Sequence, residues 1–517
     1  MANTNTNIIY TTNIAENNIG LLFISILPVY FFLFLVFFLT SQRSKLLNVE
    51  YIKFNNIEFT RTKLISLIFV LFNIGYIFIE FFKLFPEFRL FTNGVGIQFN
   101  GKILVFELIA IGLFISLCYL TIQYRTVLKK EHILLFYFFI FAALNILLQT
   151  NLMGIFLLIE MFSLAGYIIV AGIGNKIAVE GGLKYALMGM FSSAILIIAL
   201  VFILLNFGTL NLIDISILER YNYLDTTNSN LFITFCCIFL LVSFFFKLAI
   251  VPFHQWAIDV YRSASNISFI WLVSSSKLII FFVFLIIIEN LFRQTSENLK
   301  FIFIFAGLLS LFIGTFGGLI QTNFKGLFAY SSIVTVGFII INFVFYFENP
   351  EKAVTLSFMY LMLYLLNILS FFFFLSKVEQ KSLIFGDLRY INNIVKSDKI
   401  VGFGLIITFF SFLGLPPLVG FLPKILIFYN LYQANYLITC ALFIILSLIS
   451  AFYYFKIIKR ISLFQETEIT YDSTFNILNV RKMNISEKII AFFIIFLNIF
   501  LIIKYQDLYQ QIELLLK

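Results

Sequence analysis

The sequence predicts an all-α polytopic membrane protein of about 14 transmembrane helices, with spans 4–8 and 9–13 forming two inverted five-helix repeats in which helices 7 and 12 are broken. Three observations predict this. The 517 residues are 61% hydrophobic, with 72 Phe and only 12% charged side chains, against roughly a quarter charged in a soluble domain. Apolar runs of about 18–24 residues recur along the chain, each long enough to cross a hydrocarbon core about 30 Å thick. Spans seven and twelve are broken at proline-containing segments, and these breaks lie five spans apart.

The spans centre on 20–39, 64–84, 103–123, 133–150, 152–172, 183–206, 231–253, 267–289, 301–319, 326–347, 353–375, 401–429, 435–455 and 486–504. The whole of 1–517 is expected to be one membrane domain. Residues 1–130 carry helices 1–3, 131–290 the first repeat, 300–456 the second, and 457–517 a loop and helix 14. Alternate connections hold about 22 Lys and Arg on one side and about 8 on the other. Since basic residues mark the cytoplasm-like side, both termini are expected on the opposite, positive side of the membrane. The first 19 residues contain no Lys or Arg, so neither a signal peptide nor a basic presequence is expected.

The breaks are Lys247-Leu-Ala-Ile-Val-Pro252-Phe-His-Gln-Trp256 in span seven and Gly414-Leu-Pro416-Pro417-Leu-Val-Gly420 in span twelve. Proline removes a backbone donor and clashes with the preceding turn. The groups it frees are tolerated at membrane depth only against protein or a wet cavity. An odd number of spans per repeat inverts one copy relative to the other, as in many secondary transporters.

A charge at the centre of a bilayer helix costs about 2.5–3.5 kcal/mol on insertion scales. Glu160 lies mid-span in Phe156-Leu-Leu-Ile-Glu160-Met-Phe-Ser, either as half of a structural ion pair or as a carboxylate whose pairing changes during transport. Lys184, in Gly181-Gly-Leu-Lys184-Tyr, is near enough to its helix end to snorkel. Lys247 precedes the first break, Lys277 follows Val273-Ser-Ser-Ser in the middle of span eight, and Lys424 follows the second break. Burial disfavours a lysine's charge and a nearby carboxylate favours it, so its proton affinity changes when a partner moves. A proton relay needs such an antagonism, so Glu160, Lys184, Lys247, Lys277 and Lys424 are the candidates for an ion pathway, with purely structural roles as the alternative. His254 is a further candidate, either anchoring the broken helix or exchanging protons. Glu80 and Lys83, three apart on span two, satisfy each other locally. Glu107 and Glu289 lie near span ends, and Lys325 heads span ten at the interface.

Other chemistry has little footing. Cys118, Cys236, Cys237 and Cys440 lack C-x-x-C spacing, which supports neither an iron–sulfur cluster nor zinc. Nucleotide-binding glycine motifs are missing from the sequence, and no nucleic-acid partner is expected.

Several segments, in order, resemble a known family. Lys247 to Tyr261 is similar to its P-F-H-x-W-x-x-D-V-Y segment, and Ser276-Lys277 to the S-K that follows. Phe156 to Gly166, Gly182 to Tyr185, Phe324 to Gly337 with Tyr330-Ser-Ser332, Gly386-Asp-Leu-Arg389 and Phe410 to Lys424 fit its later elements. The family is that of the antiporter-like subunits of proton-pumping NADH:quinone oxidoreductase, respiratory complex I. Within it, a lysine at 424 and the lack of a long lateral C-terminal helix favour the chain-2 branch. Thr335 stands where relatives often carry His, and Ala257 where many have Pro. The resemblance covers about residues 130–460; residues before 100 and after 465 fit by topology alone.

The resemblance implies a polar chain through the membrane, with Glu160 and Lys184 as a switchable pair, Lys247 and Lys277 as central carriers and Lys424 at the exit. It implies no cofactor in this chain, with NADH, FMN, iron–sulfur clusters and quinone in partner subunits. The partners would be other membrane subunits, neighbouring antiporter-like subunits among them, and lipids. A+T-rich residue usage points to the mitochondrial inner membrane, with plastid or bacterial membranes as alternatives. A cation/proton antiporter, alone or in a multi-subunit assembly, is the alternative function.

Overall fold

A computed structural model describes residues 52–54, 57–59, 149–172, 175–220, 227–291, 296–375, 398–462 and 485–503, with single positions at 135, 139, 142, 143, 146, 483, 505 and 509. Spans one to three, with Glu80, Lys83 and Glu107, lie outside these residues, as do the segment Gly386–Arg389 and Cys118.

The described residues are almost entirely helical. The exception is a short antiparallel hairpin, β1 (Ile52–Phe54) and β2 (Ile57–Phe59), which pairs Ile52 with Phe59 in what reads from sequence as a connection between spans. Helices α1 (Leu152–Ala171) and α2 (Lys176–Phe207) match spans five and six. A nine-residue connector, α3 (Leu212–Arg220), leads to the broken seventh span, formed by α4 (Thr227–Leu248) and α5 (Gln255–Ser263). Span eight is one rod in three pieces: α6 (Asn266–Trp271), a π turn at Leu272–Ser276, and α7 (Lys277–Leu291). Then follow α8 (Ser296–Ile320), α9 (Phe324–Asn342) and α10 (Pro350–Leu375). The broken twelfth span is α11 (Lys399–Leu413) and α12 (Phe421–Gln433), and α13 (Leu437–Ser462) and α14 (Ile485–Ile503) complete the order.

Seven of these helical segments are long and apolar enough to cross a membrane, and α11 and the apolar part of α4, each the first part of a broken span, are apolar but shorter. The Ser268–Leu291, Phe324–Phe347 and Pro350–Leu375 segments are almost wholly buried and form the centre. Only about a third of the α2 window is buried; Leu183, Leu187, Phe191 and Leu205 point outward. Phe328, Phe338, Phe343, Phe371 and Phe409 fill the centre with edge-on and tilted ring pairs, the arrangement that the ring quadrupole favours.

Corresponding features recur five spans apart. Asn151 caps α1 by accepting a bond from Met153 N at 2.9 Å, and Asn323 caps α9 by accepting one from Lys325 N at 3.0 Å. Each cap satisfies a backbone donor left without an intrahelical partner at the helix start. Both breaks hold a cis X-Pro peptide, Val251-Pro252 and Pro416-Pro417. The chain turns through the left-handed region at Ala249 (φ 59°) in the first break and at Gly414 (φ 82°) in the second.

Candidate functional site: buried lysines

At the first break, Lys247 ends α4 and its Nζ lies 3.4 Å from Glu160 Oε1 on α1, with 5% of the lysine side chain and 22% of the glutamate exposed. Trp256 packs against the same break. Its indole N–H donates to the carbonyl of Phe246 at 3.0 Å, which also accepts the Ala249 N–H at 3.2 Å. Tyr185 stacks on the indole at 5.0 Å between centroids and holds it there. A cavity of about 20 Å³, lined by Ser163, Tyr167, Tyr185, Ser192 and Lys247 among others, is the size that seats a single water.

The expected Glu160–Lys184 pair is not formed. Lys184 instead meets Glu180, one turn earlier on α2, at 2.9 Å and Asp259 on α5 at 3.0 Å, and all three side chains are substantially exposed. The four-residue spacing of Glu180 and Lys184 is a legible signal. Asp259 lies inside the P-F-H-x-W-x-x-D-V-Y segment, but only folding of the broken span shows what it faces. His254, at the start of α5, brings Nδ1 to 3.3 Å from the carbonyl of Pro252, a local contact beside the break rather than one to Glu160 or a lysine.

Lys277 follows the π turn. Ser274 donates to the carbonyl of Ile270 at 2.6 Å, and Ser276 donates to that of Leu272. Such back-bonding competes with the regular ladder, and π turns concentrate at functional sites. The lysine is 3% exposed, and its Nζ has no hydrogen-bond partner among the described residues.

Lys424, in the first turn of α12, reaches back across the second break. Its Nζ donates to the carbonyls of Phe412 at 3.0 Å and Leu413 at 2.9 Å, the last residues of α11, and lies 5.7 Å from the centre of the Phe338 ring. A cation at a helix C-terminus meets the negative end of the backbone dipoles. A second cavity of about 20 Å³ lies beside it.

Lys325 is not simply interfacial. Its Nζ donates to the carbonyl of Ala264 at 2.5 Å, tying the head of α9 to the end of α5. A lysine in the first turn of a helix, where the dipole disfavours it, is the sequence signal for such a remote acceptor.

Residues 149–450 match the family described as NADH:quinone oxidoreductase/Mrp antiporter, TM. The chain is 32% identical over 376 residues to NADH-ubiquinone oxidoreductase chain 2 of Rhizopus oryzae, covering 68% of this chain and 69% of that one. It is 30% identical over 350 residues to NADH-quinone oxidoreductase subunit N 2 of Thermodesulfovibrio yellowstonii, covering 67% and 73%. In fold it is similar to a chain of respiratory complex I from Thermus thermophilus with bound aureothin, with TM-score 0.64 and 22% identity over 80% of this chain and 86% of that one. It is likewise similar to a chain of the Mrp complex from Dietzia sp. DQ12-45-1b, with TM-score 0.70 and 15% identity over 80% and 83%. With its buried lysines, its paired helix breaks and a match over more than half its length, the chain belongs to the NADH:quinone oxidoreductase/Mrp antiporter transmembrane family.

Proposed function

We propose that this chain is a proton-translocating membrane subunit of respiratory complex I, in the position of chain 2 or subunit N. It would couple electron transfer from NADH to quinone, carried out in partner subunits, to proton movement through its own buried side chains. The carrying observation is Lys277, an amine sealed in the most deeply buried helix without a hydrogen-bond partner among the described residues. An amine so placed exchanges a proton whenever its surroundings rewet or a charge approaches. The Glu160–Lys247 pair and Lys424 supply further charged groups within apolar helices. The relatives named as complex I subunits support the assignment to that enzyme.

In this reading the chain holds no redox centre; NADH, FMN, iron–sulfur clusters and quinone belong to partners. The neighbours are other membrane subunits, antiporter-like ones among them, in a mitochondrial inner membrane with both termini toward the intermembrane space. The fold likeness to a chain of the Mrp complex favours one second reading, a cation/proton antiporter subunit. Purification separates the two: comigration with flavin and iron–sulfur proteins supports the first, and sodium transport by the chain alone supports the second. The central test is Lys277→Ala in the assembled complex. Pumping should fall sharply or vanish while the complex still assembles, and an unaltered ratio of protons to electrons would overturn the assignment.

A further inference from the structure

The two cavities differ in the groups that can pass a proton. The first contains a lysine paired with a carboxylate. Among the described residues lining the second, none is Asp, Glu or His; apart from Lys424 its titratable groups are tyrosines, set among serines, a threonine and an asparagine. Any proton that reaches or leaves Lys424 through this cavity must therefore move over hydroxyls and water.

Most of the small hydroxyls there are already committed. Thr335 donates to the carbonyl of Ser332 at 2.9 Å, Ser450 to that of Ser447 at 2.6 Å, and Ser411 to Asn367 Oδ1 at 2.8 Å. Others are not tied to the backbone. Ser331 Oγ and Tyr454 Oη lie 2.5 Å apart, in a bond that either can donate. Tyr454 is held by stacking on Phe412, with centroids 5.9 Å apart, and lies 4.3 Å from the Tyr453 ring. Tyr360 is buried, and its hydroxyl has no hydrogen-bond partner among the described residues. Tyr364, also buried, lines the same cavity from α10, and its hydroxyl likewise has no hydrogen-bond partner among the described residues. A hydroxyl has one donor and two acceptor sites, so it can receive a proton on a lone pair while releasing its own, ending neutral. The cavity has room for a water to bridge the gaps.

We propose that the hydroxyls of Tyr364, Tyr454 and Ser331, on three different helices around the second cavity, form the relay that carries protons to and from Lys424. At each step an O–H bond forms on the receiving oxygen as the O–H bond on its far side breaks, so one proton enters and one leaves. No tyrosinate accumulates and no redox change occurs. This rests on the proton-translocating function proposed above and names the groups that serve it in the second half of the chain.

The test uses the complete complex reconstituted in vesicles, measuring protons pumped per NADH and turnover in H₂O and D₂O. Tyr364→Phe with Tyr454→Phe keeps both rings and removes two hydroxyls, and Lys424→Met is the reference. The expected result is a fall in coupled turnover of about tenfold or more, with a larger solvent isotope effect, alongside impairment by Lys424→Met. If the double variant fails to assemble, Ser331→Ala applies the same test from the other side of the bond. Wild-type behaviour of the tyrosine variants with an impaired Lys424→Met overturns the relay and leaves the function standing. Impairment with an unchanged isotope effect also overturns it, since the hydroxyls would then be structural. An unimpaired Lys424→Met instead removes the function on which the relay rests.

Discussion

The two helix breaks solve one physical problem in different ways. Each frees backbone carbonyls at membrane depth, where protein or a wet cavity must satisfy them. In the first, a neutral indole joins the Ala249 N–H on the carbonyl of Phe246, and the neighbouring lysine pairs with Glu160. In the second, the lysine itself caps the helix, bonding the carbonyls of Phe412 and Leu413. Lys247 therefore faces a side-chain charge, and Lys424 faces backbone dipoles. A displacement of Glu160 would change the first site directly, whereas the second changes only when its hydroxyl and backbone surroundings do.

The comparison can be broken most severely at Gly420. A Cβ there would overlap the carbonyl oxygen of Ser411, which is backbone and cannot rotate away. Gly420→Ala should cost at least the upper end of the about 1–3 kcal/mol typical of overpacking and reduce the assembled complex on native gels. Wild-type assembly would show that this contact does not hold the second break. At the first break, Glu160→Gln or Lys247→Met strands a charge. Removing one partner of a buried pair costs about 3–5 kcal/mol, and the partial exposure of Glu160 places the loss toward the lower end. The double variant should recover part of that loss in thermal unfolding, and strictly additive effects would mean that the pair is not coupled. Lys424→Met strands two carbonyls rather than a charge, so its stability cost should be smaller, about 1–3 kcal/mol, even where its effect on pumping is large. The smallest effects are conformational and opposite in sign. Gly414→Ala puts a side chain in the left-handed region at about 1–2 kcal/mol and brings its Cβ within 3.1 Å of Lys424 Nζ. Ala249→Gly relieves the corresponding strain, and should raise stability by less than about 1 kcal/mol after glycine's greater unfolded freedom is subtracted. Equal shifts of one sign would mean that the two turns are not equivalent.

The breaks and the buried charges were legible because each violates the chemistry of an apolar helix: proline lacks a donor, and a lysine resists desolvation. Spans five to thirteen followed from length and hydropathy for the same reason. Pairings were not legible. Glu160 and Lys247 are 87 positions apart in sequence, and nothing local distinguishes that partner from Lys184, which the fold gives to Glu180 and Asp259. The task of Trp256 depends on a carbonyl ten residues earlier that only the folded break brings near it. Tyr364 and Tyr454 read in sequence as two aromatics among 72 phenylalanines, and packing around Lys424 is what separates them from the rest. Lys325 looked interfacial because its acceptor, Ala264, belongs to the other half of the chain.

The π turn at Leu272–Ser276 works as a rotary index. Successive residues of an α-helix are about 100° apart around its axis, and a π turn amounts to one residue inserted into that count. The face on which Lys277 lies is therefore set by how many residues precede it in the turn, not only by what they are. Deleting one residue from this segment would swing the lysine toward a different neighbour while changing no charge and removing no lysine. Helix α7 beyond it, buried along nearly its whole length, would have to turn with it or refuse the deletion.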